Sequence, residues 1–423
     1  MNQNRGLNLI LHKKGGIIVA FLIGALIGLF FTGRPDKGYE ESSSSKTVSQ
    51  ETQEKTGATE SQAEGQTVDS DQADSQAENK LPDYMYDANI KGLTSENPAT
   101  NRLEYKEALS YLVMNGIESP VTVYVNGLGA EDFKDENKYI NTTFFKATKN
   151  DFDTNQGKVV SVRVSYAFNE NYYAYMNVMN GDPIPEGEDR AEQIAEAVKA
   201  FLETNINDSM SDYEKEIAIY SYLDLNNTYY YDDPFSKGDH HEVYGALVNH
   251  VAVCSGYARA FYLLASCCGL ECDYVSGQGN GEGHAWNMVK LDGKWYNVDV
   301  TYADTCVENC DYADYSFGFL NLTDQDMIDT GHTWDAQAYH TADSRDYNYY
   351  YLQGRLFQYD GFCQYVSENL YYGNLLECSV TDFDKNRYDI GNMIRNYGYR
   401  GAYQWYITGD NPKGYCTIYI YLY

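Results

Sequence analysis

Val253 to Asp304 reads VCSGYARAFYLLASCCGLECDYVSGQGNGEGHAWNMVKLDGKWYNVDVTYAD. Within it Cys254, His284 and Asp299 stand in the order that a thiol nucleophile, its base and its orienter would need. Histidine and aspartate are common residues, so local structure must decide whether the order means anything. From Ser255 to Cys268 apolar and aromatic residues recur at helical spacing (Tyr257, Phe261, Leu264, Cys268), and Gly269 is a stop signal. Cys254 is therefore expected at a helix N-terminus. Unpaired N–H groups and the positive end of the helix dipole favour a thiolate there and can hold a developing oxyanion. Small Ser255 and Gly256 leave room for a substrate to approach.

His284–Leu291 and Lys294–Val300 are strand-like runs joined by Asp292-Gly293, a two-residue hairpin signal. A tight turn sets Leu291 opposite Lys294, Trp286 opposite Asp299 and His284 opposite Thr301. His284 and Asp299 then become diagonal neighbours on one face, roughly 7–8 Å apart at Cα. Ala285, Val289, Leu291, Val298 and Val300 form the other face, which is expected to be buried. A slip of one residue would destroy the pair. Trp286 and Trp295 share the His284 face, where they would line a cleft or shield the polar residues; shielding is the simpler role. Gly277 to Gly283 is glycine-rich but leads into a strand and not a helix, so it is no phosphate loop and is expected to be a mobile rim.

Upstream, Gly187–Asn205 and a segment from Ser211 to about Leu225 are expected to be helices, the second opened by a Ser211/Glu214 capping box. Asp83 to about Pro185 mixes a helix (Arg102–Asn115), a strand (Val121–Val125) and an expected hairpin of Lys158–Phe168 with Tyr172–Met179. It contains no histidine or cysteine and offers no chemistry. Asp239-His240-His241-Glu242 has no further ligand at a suitable spacing and is expected to be a solvated loop, not a metal site. No cofactor or metal is expected.

The four stretches Tyr244-Gly245-Ala246-Leu247, Val253–Ala258, Gly283–Asn287 and Trp295–Thr301, followed by Phe319–Asp324, resemble the transglutaminase-like superfamily, notably its bacterial extracytoplasmic members. The likeness covers about Ser211 to Asp346. It implies an α+β fold with a papain-like core, in which a helix carrying the cysteine packs on an antiparallel sheet, flanked by small α/β accessory regions. It also implies a catalytic triad, which by position would be Cys254, His284 and Asp299. Tyr302 departs from the tryptophan often found there. A backbone N–H at Cys254 is the expected first oxyanion donor. Tyr244 is a candidate for the second, beside the cleft candidates Ser255 and Trp286.

Residues 1–14 hold Arg5, Lys13 and Lys14 with no acid, and Gly15 to Thr32 is uncharged and largely apolar. This pattern is expected to be a transmembrane signal anchor over 15–32 with the bulk of the chain outside; the alternative is secretion after signal cleavage. Residues 33–82 are expected to be a disordered acidic linker, since Pro35–Leu81 carries 11 acidic and 4 basic residues and almost nothing large and apolar. The remaining organisation is an accessory region over 83–185, a catalytic domain over 186–346 and a tyrosine-rich extension over 347–423. Net charge is −31, of which residues 82–423 supply −28. Nucleic acid and anionic lipid surfaces are poor partners for such a chain. All nine cysteines lie from Cys254 onward, consistent with one free nucleophile and eight that could pair outside the cytoplasm, Cys306 and Cys310 among them. Tyr415–Tyr423 alternates strictly and is expected to pair with Trp405–Ile407.

These features point to a surface enzyme performing thiol-dependent acyl transfer on peptide or protein amides, with water or an amine as second nucleophile. The alternatives are a cell-wall peptide hydrolase and a non-catalytic surface binding module on the same fold.

Overall fold

The computed structural model describes residues 87–133, 140–307, 316–408 and 412–423. The expected membrane anchor and linker, and the side chains of Cys306 and Cys310, lie outside these. Among the described residues no helix is long and apolar enough to cross a membrane.

The N-terminal region opens with α1 (Arg102–Met114), whose first turn is capped by the Asn101 side chain accepting from the Glu104 N–H. Its buried residues Tyr105, Ala108, Leu109 and Leu112 fall at helical spacing and pack toward a three-stranded antiparallel sheet. That sheet consists of β1 (Val121–Tyr124), β2 (Phe145–Asn155) and β3 (Lys158–Phe168), in the order β1-β3-β2. The partner of β3 is thus the strand before it, reached through a turn at Gln156-Gly157, both at positive φ. The segment after β3, expected to be the returning strand, is instead α2 (Glu170–Asn180). Asn169, expected in a turn, is the N-cap, its side chain accepting from the Asn171 and Tyr172 N–H groups. Capping outweighed alternation there.

Two helices follow as expected, α3 (Asp189–Asn205) and α4 (Asp212–Asn226), with both halves of the Ser211/Glu214 capping box formed. A short strand β4 (Thr228–Tyr229) pairs in parallel with β5 (Val251–Ala252), which leads into α5 (Cys254–Cys267). Gly269 then ends the helical run at φ +75°. Helix α5 is buried almost all round, with Ala260, Phe261, Leu263 and Leu264 wholly inaccessible. That is the pattern of a central helix and not of an amphipathic surface one.

Helix α5 lies on an antiparallel sheet made of β6 (Cys272–Gly279), β7 (Glu282–Leu291), β8 (Lys294–Val298) and β9 (His332–Trp334), in the order β8-β7-β6-β9. The β7–β8 register runs from Leu291↔Lys294 to Asn287↔Val298, as the tight turn requires. The strand ends earlier than expected. Asp299 accepts the Tyr302 N–H at 3.0 Å and so caps α6 (Val300–Val307), turning Val300 and Thr301 into the first helical turn. The face expected to be the only buried one is joined by its opposite: Trp286 and Met288 are as buried as Val289 and Val298. The glycine-rich stretch, expected to be a mobile rim, forms the ends of β6 and β7 around a tight Asn280-Gly281 turn, both residues at positive φ. A short α7 (Asp324–Asp329) precedes β9.

The C-terminal region adds α8 (Tyr349–Leu352), β10 (Leu356–Phe357), α9 (Tyr359–Asn369), β11 (Leu375–Phe383), α10 (Ile390–Asn396), β12 (Tyr403–Ile407) and β13 (Gly414–Leu422). Its sheet has the order β10-β11-β13-β12, and Tyr406 and Ile407 pair with Tyr419 and Ile418. Strand β13 is covered on both sides. Cys416, Ile418, Ile420 and Leu422 build a small separate core with Phe362 and Val366 of α9. Tyr415, Tyr419 and Tyr421 face the other way and are buried too, so they serve packing and not surface recognition. Tyr415 donates to the Gly318 carbonyl at 3.0 Å, and Tyr419 shares a 2.6 Å hydrogen bond with Ser316. The main hydrophobic core runs without a break from Leu93 to Tyr350 and draws in Tyr415.

Candidate active site

Cys254 is the first helical residue of α5 and is half-buried. Its N–H is one of the first-turn donors that have no carbonyl to bond within the helix. The segment Asp239–His241, expected to be a solvated loop, is a 3₁₀ turn seated against this helix start. The His240 carbonyl accepts the Val253 N–H at 2.9 Å. A Cβ added at Gly256 would lie 2.4 Å from that same carbonyl oxygen. The space left by Gly256 is thus taken by backbone and not by substrate. The Ser255 side chain is turned to His241, with its Oγ 2.9 Å from His241 Nδ1.

His284 and Asp299 meet, although the paired register stops at Asn287↔Val298 and Asp299 lies just beyond it. His284 Nε2 lies 2.6 Å from Asp299 Oδ2, with both side chains almost wholly buried. Asp299 sits in the joint between β8 and α6, its N–H held by the Phe319 carbonyl at 3.0 Å. On the other side the Cys254 thiol lies near enough to favour the charged form of His284. With Nε2 engaged by Asp299, Nδ1 is the ring nitrogen left for the thiol. Burial opposes a charged His284, but the Asp299 carboxylate, seconded by Cys254, outweighs it and holds the imidazole pKa well above its ordinary range. Burial likewise works to raise the Asp299 pKa, and His284, then His332, keep it well below the usual carboxylate range.

Trp286 shields this pair. It is 1 % exposed, donates Nε1–H to Asn297 at 3.0 Å and stacks on His284 with centroids 5.8 Å apart. Trp295 lies farther along the hairpin and stacks on His340 at 3.9 Å. Tyr244, expected as an oxyanion donor, is turned away. Its hydroxyl donates to Gln193 at 2.6 Å, and its ring carries Arg190 at 3.9 Å.

Two functional candidates escaped the sequence. Tyr229, on the strand beside the lead-in to Cys254, has its pKa pushed up to about 12, by burial first and then by the nearby charges of Cys254, Glu282 and Asp299. His332, wholly buried on β9, places Nε2 3.0 Å from Asp299 Oδ2. The glycine spacing was its only signal. Gly277 and Gly279 on β6 pair with Trp334 and His332 on one side and with His284 and Glu282 on the other. A Cβ at Gly277 would press on Trp286, and one at Gly279 on Tyr302. Two glycines thus open the sheet face on which the rings converge.

His284, Asp299 and His332 bring three donor atoms within 4.8 Å of one another, the one such grouping among the described residues. Asp299 Oδ2 lies at hydrogen-bond distance from both histidine nitrogens. Among the described residues seven cysteines, Cys254 included, are free thiols. A polar cleft of about 400 Å³ opens one turn along α5 from Cys254, lined by Arg259, Glu242, Lys146 and Glu170 among others.

A helix-start thiol facing a His–Asp pair on an antiparallel sheet defines a papain-like α+β core. Residues 199–300 match the model of the Transglutaminase-like superfamily. Among solved structures the chain is similar to a TGase, at 17% identity over 44% of this chain and 52% of that one, with a TM-score of 0.23. It is also similar to the periplasmic domain of TgpA from Pseudomonas aeruginosa, at 15% identity over 40% of this chain and 67% of that one, with a TM-score of 0.22. The chain thus spans about half the length of the first of these. No curated protein matches it.

Proposed function

We propose that the chain is a cysteine-dependent acyltransferase or hydrolase acting on peptide or protein amides outside the cytoplasm, tethered by its N-terminal segment. The observation that carries this reading is the buried His284–Asp299 pair, 2.6 Å apart, with the helix-start thiol of Cys254 near the same imidazole. His284 takes the thiol proton, and the thiolate attacks the amide carbonyl carbon. First-turn N–H groups of α5 stabilise the oxyanion. The C–N bond then breaks as the imidazolium returns its proton to the leaving amine, and a thioester to Cys254 remains. Water or an amine attacks that thioester with His284 as base, and the thiol is released. Asp299 fixes the imidazole tautomer and balances its charge throughout. The acidic surface suits basic polypeptides better than polyanions.

The test is the rate at which iodoacetamide alkylates Cys254 in the full chain at neutral pH, against Cys254→Ala and His284→Ala. Alkylation at Cys254 is expected to exceed that of an ordinary exposed thiol by at least about tenfold and to lose that excess in His284→Ala. A rate no faster than that of a free surface thiol sinks the proposal. Ammonia release with lysine-linked products would assign cross-linking; new termini without them would assign hydrolysis.

A further inference from the structure

We propose that His332 is a positioning residue of this site: it donates Nε2–H to Asp299 Oδ2, shares that oxygen with His284, and so sets how firmly His284 is held as an imidazolium. The inference rests on the catalytic reading of Cys254 and His284. Asp299 is wholly buried and meets three donors: His284 at 2.6 Å and His332 at 3.0 Å on Oδ2, and the Tyr302 N–H at 3.0 Å on Oδ1. A buried carboxylate stays ionised only when its lone pairs are satisfied. With His284 alone on Oδ2, that one ring would carry the whole demand.

The His332 ring is fixed at both ends. Its Nδ1 lies 3.0 Å from Thr330 Oγ1 and 3.2 Å from the Met327 carbonyl. Its backbone is paired with Gly279 on β6. Tyr302 and Trp286 enclose the ring at centroid distances of 4.5 and 5.2 Å. Thr330 Oγ1 donates to the Met327 carbonyl at 2.9 Å, and a carboxylate oxygen can only accept, so the proton between His332 and Asp299 sits on Nε2. His332 is inaccessible to solvent and too enclosed to serve a substrate. What it can change is the charge that Asp299 presents to His284.

The groups that face His284 are Cys254 from α5, Asp299 after β8, Tyr302 from α6 and His332 from β9. Tyr229 and Tyr220 add phenols whose titration feels Asp299, and Glu282 lies near Tyr229. Among these, His332 is the ring that competes with His284 for one oxygen. Removing its N–H leaves the full carboxylate charge to His284, which then keeps its proton to higher pH.

The experiment is a pH titration of the full chain labelled with ¹⁵N-histidine, following His284 by NMR in the native protein, His332→Leu and His332→Gln. In His332→Leu the His284 midpoint is expected to rise by about one unit. In His332→Gln, where an amide N–H replaces the ring N–H, it is expected to stay near the native value. A midpoint that is unchanged or lower in His332→Leu overturns the proposal. If His332→Leu does not fold, the native spectrum decides: His332 Nε2 carrying a proton at neutral pH supports the assignment, and an unprotonated Nε2 overturns it. Failure of the catalytic reading is separate, since it appears as Cys254 alkylation that is indifferent to His284→Ala.

Discussion

The two sides of the candidate site are held by opposite means. The thiol side is half-open, and Cys254 is aimed by backbone: a helix start, the His240 carbonyl and a glycine that lets that carbonyl in. The imidazole side is closed, and Asp299 and His284 are aimed by charged hydrogen bonds beneath Trp286. A nucleophile must be reached by its substrate, whereas the group that orients its base works best where water cannot compete. Mutations on the closed side should therefore cost stability as well as chemistry. Those on the open side should cost mainly chemistry.

The sharpest test is Asp299→Ala, which strands two buried histidines and the Tyr302 N–H. A loss of about 3–5 kcal/mol is expected by denaturant titration, against almost none for Cys254→Ala. Equal effects of the two would dissolve the contrast. A second test uses acid and base. The raised His284 pKa adds stability that is full below the unfolded value near 6.5 and is lost as pH rises toward about 10. The depressed Asp299 pKa adds stability that is present above about 3.8 and is lost as pH falls below it. The Tm gap between the native chain and His284→Gln should thus be widest between about pH 4 and 6.5 and narrow on both sides. A gap that is flat with pH would mean the pair is not ionised.

On the open side, Gly256→Ala puts a methyl where the His240 carbonyl lies, and about 1–3 kcal/mol should be lost. Cys254 alkylation should slow as the helix start shifts; an unchanged melt and rate would show the contact to be slack. The smallest effect belongs to Tyr244→Phe. It removes an exposed hydrogen bond to Gln193, and both stability and alkylation should stay within about 0.5 kcal/mol of the native chain. A large loss of alkylation there would return Tyr244 to the oxyanion hole.

The sequence made the His284–Asp299 pairing legible because a two-residue turn at Asp292-Gly293 leaves only one register. The helix start at Cys254 was legible from apolar spacing and Gly269. Elsewhere local signals competed. The alternating Tyr172–Met179 pattern suited a strand, but a capping Asn169 and a better partner in β2 made it a helix. Asp239–His241 looked like a polar loop because its role is carried by a backbone carbonyl, which no side-chain pattern encodes. His332 was hidden for another reason. It reaches Asp299 from 33 residues away, on a strand of only three residues at the sheet edge.

The tyrosine face of β13 carries a consequence for the order in which the site is built. Its hydroxyls hold Ser316 and Gly318, one residue short of Phe319, whose carbonyl fixes the Asp299 backbone. The Ser316–Tyr419 contact spans 103 residues of chain. During synthesis Cys254, His284 and Asp299 all leave the ribosome before that contact can form. The backbone at Asp299 thus receives this backing last, after the helix that carries the Cys254 thiol has been made.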